Sequence, residues 1–153
     1  MIVYEYETLR GKNDFPELKI VRKIKTKDIN FSVNNIQIVN FMNKYYRMNQ
    51  KYVEYVYLLT IDGKNRIRNI IRISQGDWNQ SLISKKEIFS NLLLLKANRY
   101  LLVHNHPDSS AKPSDSDIEI TGKLVDGSKL LGLDFVDHII INKNGYFSFL
   151  ENE

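Results

Sequence analysis

The stretch Leu101-Leu-Val-His-Asn-His-Pro-Asp-Ser-Ser-Ala-Lys-Pro-Ser-Asp-Ser-Asp117 decides how this chain is read. It opens as an apolar strand continuing from Tyr100. Side chains two apart on a strand share a face, so His104 and His106 project together. Pro107 has no N–H for a ladder and ends the strand. After a loop, Pro113 and Ser114 start a helix whose amphipathic line runs Ile118, Thr121, Leu124, Val125 and Leu131. Asp117 falls in its first turn, able to lean back toward the histidines. Two histidines, one carboxylate and an open fourth position are the donor set of a catalytic zinc site, not a closed structural one. A plainer reading uses the same letters: Ser114-x-x-Asp117 is close to a capping box, although that box favours Glu or Gln last.

Other His-x-His sites fit less well. His104-x-His106-x-Asp108 begins like a metallo-β-lactamase signature, but Ser109 stands where that signature has His. Such dinuclear sites also need more histidines than the three in this chain. The letters His-Asn-His do not imply an HNH nuclease, whose residues are spread over a longer ββα unit.

The run His104-Asn105-His106-Pro107, six residues, Ser114, two residues and Asp117 resembles the JAMM motif of MPN-type metalloproteases. Asn between the histidines and Pro before the serine are similar to the RadC branch of that superfamily. Val136-Asp137-His138-Ile139-Ile140-Ile141 resembles the strand that follows the metal helix in that branch. The resemblance implies an MPN (JAB)-like α/β fold over residues 31–150: a mixed sheet sandwiched by helices, with cytidine-deaminase-like layering. Residues 1–30 would be an N-terminal extension, all within one domain over 1–153. The resemblance further implies Zn2+ held by His104, His106 and Asp117, with Ser114 stabilising an oxyanion. The activity implied is that of a metallopeptidase cleaving peptide or isopeptide bonds with a metal-activated water, on a peptide or protein substrate.

Glu54 opens the apolar run Tyr55-Val-Tyr-Leu-Leu-Thr-Ile61. JAMM enzymes place a catalytic Glu just before the first strand of the domain, and Glu54 stands before Asp62 as the corresponding Glu does in RadC-like chains. The resemblance makes it the general base. Two alternatives remain beside the hydrolase: a DNA-repair-associated accessory protein, and an MPN scaffold without chemistry. Full-length RadC proteins carry a helix-hairpin-helix region before the metal domain, and residues 1–30 do not resemble it. A further departure is Asp108-Ser109, where RadC-like chains have Ser-Gly. It makes the loop beside the histidines more acidic.

The remaining sequence sets the frame. A length of 153 residues suffices for one core, and 42% apolar with 26% charged residues reads as a soluble globular chain. No run is long enough to span a membrane, no signal peptide is apparent, and cysteine is absent, so the expected location is the cytoplasm. The net charge is +4, with basic clusters at Lys19, Arg22, Lys23, Lys25 and Lys27 and at Lys64, Arg66, Arg68 and Arg72. They read first as solvated strand faces; nucleic acid is the partner they would otherwise suit.

Strands are expected from Ile2 and from Leu18. A helix should run from Ser32, its N-cap, to Met48, with Ile36, Val39, Phe41 and Met42 inward. A hairpin follows through Asp62-Gly63-Lys64-Asn65. Gly76 to Gln80 reads as a loop with Trp78 as an anchor, and Ser84-Lys-Lys-Glu87 as a capping box opening a helix over 85–97. Gly132 stops the helix that begins at Ser114, and strands cover Phe135–Ile141 and Tyr146–Leu150. His138 reads as structural, bonded to its neighbouring strand.

Overall fold

A computed structural model describes residues 1–27, 34–76, 83–108 and 110–152. Seven strands form one mixed sheet: β1 (Ile2–Arg10), β2 (Pro16–Lys25), β3 (Tyr55–Ile61), β4 (Ile67–Gln75), β5 (Arg99–Asn105), β6 (Asp134–Asn142) and β7 (Gly145–Ser148). Their spatial order is β2-β1-β4-β3-β5-β6-β7. The β1–β4 and β5–β6 pairs are parallel and the others antiparallel. Helices α1 (Asn35–Tyr46), α2 (Lys85–Leu94) and α3 (Asp115–Leu131) complete an α/β architecture.

Alternation along the strands sorts two apolar clusters. Tyr57, Leu59 and Ile61 of β3 and Leu101 and Val103 of β5 join Ile38, Phe41 and Met42 of α1. Val56 and Leu58 of β3 and Tyr100 and Leu102 of β5 join Ile88 and Leu92 of α2 and Leu124 of α3. His104 follows Tyr100 and Leu102 in the period of two, so its ring lies on the α3 face.

Several expectations change. The first helix is capped by Asn34, whose side chain accepts from the Gln37 N–H at 2.9 Å. Ser32, Asp77, Trp78 and Ser109 lie outside the described residues. Ile36 is 58% exposed; α1 instead buries Ile38, Val39, Phe41, Met42 and Tyr46. In α3, Ile118 and Leu131 face outward, and the buried residues are Asp117, Leu124 and Ser128. The chain after β7 turns into a short 3-10 helix at Leu150–Asn152, so the last strand ends earlier than expected. Residues 2–25 form a hairpin joined to the sheet edge through β1 and β4.

Candidate metal centre

The centre forms where β5 ends against the start of α3. Beyond the last strand residue, the His106 N–H still bonds the Ile141 carbonyl at 2.9 Å, which holds His106 in line with His104. Their Nε2 atoms are 3.0 Å apart. Helix α3 adds Asp117, with Oδ1 3.3 Å from His104 Nε2 and Oδ2 3.3 Å from His106 Nε2. Asp117 is N3 of a complete capping box. The Ser114 hydroxyl accepts from the Asp117 N–H at 3.2 Å, and Asp117 Oδ2 accepts from the Ser114 N–H at 2.8 Å and from its hydroxyl at 2.7 Å. The cap and the three-residue cluster therefore use one carboxylate. The positive end of the α3 dipole supports its charge.

The hydrogen-bond network assigns the protons on both rings. The Thr121 hydroxyl donates to the Asp117 carbonyl at 2.6 Å, so it can only accept from His138 Nδ1, 2.7 Å away. His138 Nε2 is then an acceptor and receives the Nδ1–H of His104 at 2.8 Å. The Nδ1–H of His106 donates to the Ser110 carbonyl at 3.2 Å. Both ligand-side Nε2 atoms are left with lone pairs, the tautomer a metal requires. His138, fully buried, is thus neither a ligand nor mere filling: it bonds the neighbouring strand's His104 and fixes its ring.

Two imidazole nitrogens and a carboxylate facing one another at 3.0–3.3 Å form a pocket that a cation could fill. Tetrahedral bonds of about 2.0–2.2 Å give edges of about 3.3–3.6 Å. The two nitrogen–oxygen edges match that range and the nitrogen–nitrogen edge falls short of it, so the three donors could hold a single metal ion, zinc among them. The protonation preferences suit that role. Burial raises the Asp117 carboxyl, but His106, His104 and Ser114 hold it well below the usual carboxylate range. Burial lowers the imidazole of His106, yet Asp117 and Glu54 raise it overall. Burial, then the neighbouring His138, push His104 down. Among the described residues this is the one cluster of His and acidic groups arranged to hold a metal.

Glu54 lies just before β3. The antiparallel register that pairs Val56 with His104 carries it opposite His106. Asn105, fully buried, brackets its backbone: Oδ1 accepts from the Tyr55 N–H at 2.8 Å, and Nδ2 donates to the Val53 carbonyl at 2.9 Å. The residue between the histidines thus ties the glutamate's segment to the strand that carries them. Sequence reasoning missed this role and that of Thr121. A polar side chain at the end of a buried strand was the available signal for Asn105; Thr121 carried none. The Ser114 hydroxyl, expected to meet an oxyanion, is engaged with Asp117 and lies 2.9 Å from Ser116 Oγ.

A model of the RadC-like JAB domain matches residues 33–153. Similar curated proteins include the UPF0758 protein of Trichlorobacter lovleyi, 38% identical over 116 residues, covering 76% of this chain and 50% of the relative. That of Geobacter sulfurreducens is 38% identical over 114 residues, covering 74% and 49%. That of Finegoldia magna is 43% identical over 96 residues, covering 63% and 43%. The chain spans about half the length, or less, of these relatives.

Proposed function

The chain belongs to the RadC-like JAB domain family, and we propose that it is a JAMM-type zinc metallopeptidase, cleaving peptide or isopeptide bonds with a metal-activated water. The observation that carries this reading is the set of three converging acceptors, His104, His106 and Asp117, with Glu54 beside them. A closed structural site would take a fourth protein ligand; three leave room for water and substrate.

Zinc in this site would supply an acidified water and a polarised carbonyl. Glu54 accepts the proton of the attacking water and returns it to the leaving amine, a role suited to a carboxylate whose segment Asn105 holds in place. His138 and Thr121 keep the Nε2 lone pair of His104 directed at the site. Ser114, whose hydroxyl now donates to Asp117 Oδ2 at 2.7 Å, would be the donor to a developing oxyanion.

Metal analysis of the purified chain after zinc is supplied tests the site. About one zinc per chain is expected, and none in the His104→Ala/His106→Ala variant. Glu54→Gln should keep the metal and lower the cleavage of a quenched-fluorescent peptide library by roughly 10²–10⁴. A chain that takes up no zinc, or a Glu54→Gln variant with full activity, overturns the reading.

A further inference from the structure

We infer that the groove running away from His106 is a subsite for a carboxylate of the substrate, close to the bond being cut; the inference rests on the amide-hydrolase reading. A cavity of about 370 Å³ is lined by His106 and Pro107 on one side and by Asn49, Lys51, Tyr52 and Lys143 around it. Among the described residues its lining holds two lysines and no carboxylate. The two lysines give this side of His106 a positive charge that attracts a substrate anion.

Both lysines stand on anchored backbone. Lys143 sits in the β6–β7 turn, where the buried Asn142 accepts from the Asn144 and Gly145 N–H groups, each at 2.9 Å. Lys51 follows the 3-10 turn Met48–Gln50, pinned by buried Met48 and by the Asn49 N–H bonded to Asn43 Oδ1 at 3.1 Å. Its ammonium lies 4.3 Å from the centre of the Tyr55 ring. Tyr52, 81% exposed, adds an aromatic wall.

A second cavity, at the opposite end of the sheet, does not share this character. Its lining includes Arg68 and Arg99, but also Asp62, 4.0 Å from Arg68, and Arg99 is paired with Asp134 at 2.7 Å.

The test titrates the full ¹⁵N-labelled chain, supplied with zinc, with three probes followed by NMR. N-acetyl-glycyl-glutamate α-amide has only a side-chain carboxylate, N-acetyl-glycyl-glutamine only a terminal one, and N-acetyl-glycyl-glutamine amide is neutral. The better anionic probe should bind about tenfold tighter than the neutral one, the combined effect of two partly exposed ion pairs. It should shift the resonances of Lys51, Tyr52 and Lys143, and lose its advantage in Lys51→Gln/Lys143→Gln at unchanged zinc content. The order of the two anionic probes shows whether an acidic side chain or a chain terminus is held. Equal binding of anionic and neutral probes overturns the subsite. So does an advantage that survives in the double variant, or tighter binding of inorganic phosphate than of either carboxylate. The hydrolase reading fails separately: carboxylate binding at the lysines without cleavage of any amide refutes the chemistry and retains the subsite.

Discussion

Thr121 has one hydroxyl hydrogen, and its use decides where a proton sits three groups away. Given to the Asp117 carbonyl, it leaves the oxygen to receive His138 Nδ1–H, and His138 Nε2 to receive His104 Nδ1–H. Thr121→Val keeps the shape and removes that acceptor. Zinc affinity should then fall about 10–100-fold, as for other partners of metal-bound histidines, and Thr121→Ser should restore it. Competition with a chromophoric chelator reads the change; equal affinity in the valine variant would dismiss the relay. The sequence displayed the donor set because His104 and His106 alternate onto one face and Asp117 follows close along the chain in the first turn of α3. It could not display the relay, since His138 reaches His104 only through the parallel β5–β6 pairing.

At the scale of elements, α3 shows why apolar periodicity misled. Its inward face carries Asp117 and Ser128 beside Leu124, so Ile118 is left 54% exposed. A helix that turns a carboxylate inward gives up part of its apolar stripe. Two glycines in it behave differently. At Gly122 an added Cβ meets open space, whereas at Gly127 it would come within 2.6 Å of the Phe89 ring of α2. Gly122→Ala should stabilise by about 0.5–1 kcal/mol. Gly127→Ala should destabilise by about 1–3 kcal/mol, with Phe89→Leu relieving it in a double-mutant cycle. The helix is also bonded to the sheet through Tyr100 Oη and Ser128 Oγ, 2.7 Å apart. Burial pushes the Tyr100 phenol up to about 12. Because the folded phenol keeps its proton longer than the unfolded one, stability is full below about pH 10 and declines as pH rises toward 12. Tyr100→Phe should make that decline shallower in denaturant titrations between these values; an unchanged slope would assign it to other groups.

The whole molecule poses the question of the N-terminal hairpin, which precedes the residues that the family model matches. Its basic strand β2 is partly neutralised, with Lys19 3.5 Å from Glu17 and Arg22 3.9 Å from Glu5. Its inward residues belong to the core. Val3 and Ile24 are buried with Phe41, Met42 and Tyr46, and the Tyr46 hydroxyl donates to Glu5 at 3.0 Å. Yet β1 meets β4 at only three paired positions, Tyr4–Asn69, Glu5–Ile70 and Tyr6–Ile71. The alternation of Ile2, Tyr4 and Tyr6 revealed a strand but not its neighbour, since a short parallel pairing leaves no turn signal between its partners. Packing and pairing thus point to a hairpin joined to the fold mainly through side chains. Ile24→Ala should cost about 2–5 kcal/mol, on the order of 10 °C in the melting temperature of the metal-free chain. Zinc affinity should stay unchanged, because the candidate ligands lie at the end of β5 and in α3, with β4 and β3 between them and the hairpin. Calorimetry beside the chelator competition separates the outcomes. A large loss of stability at constant affinity makes the hairpin a brace for the core. A parallel loss of both would show that the metal centre and the sheet edge share one cooperative unit. A melting temperature that barely moves would mean that the hairpin opens on its own, with the main sheet intact behind it.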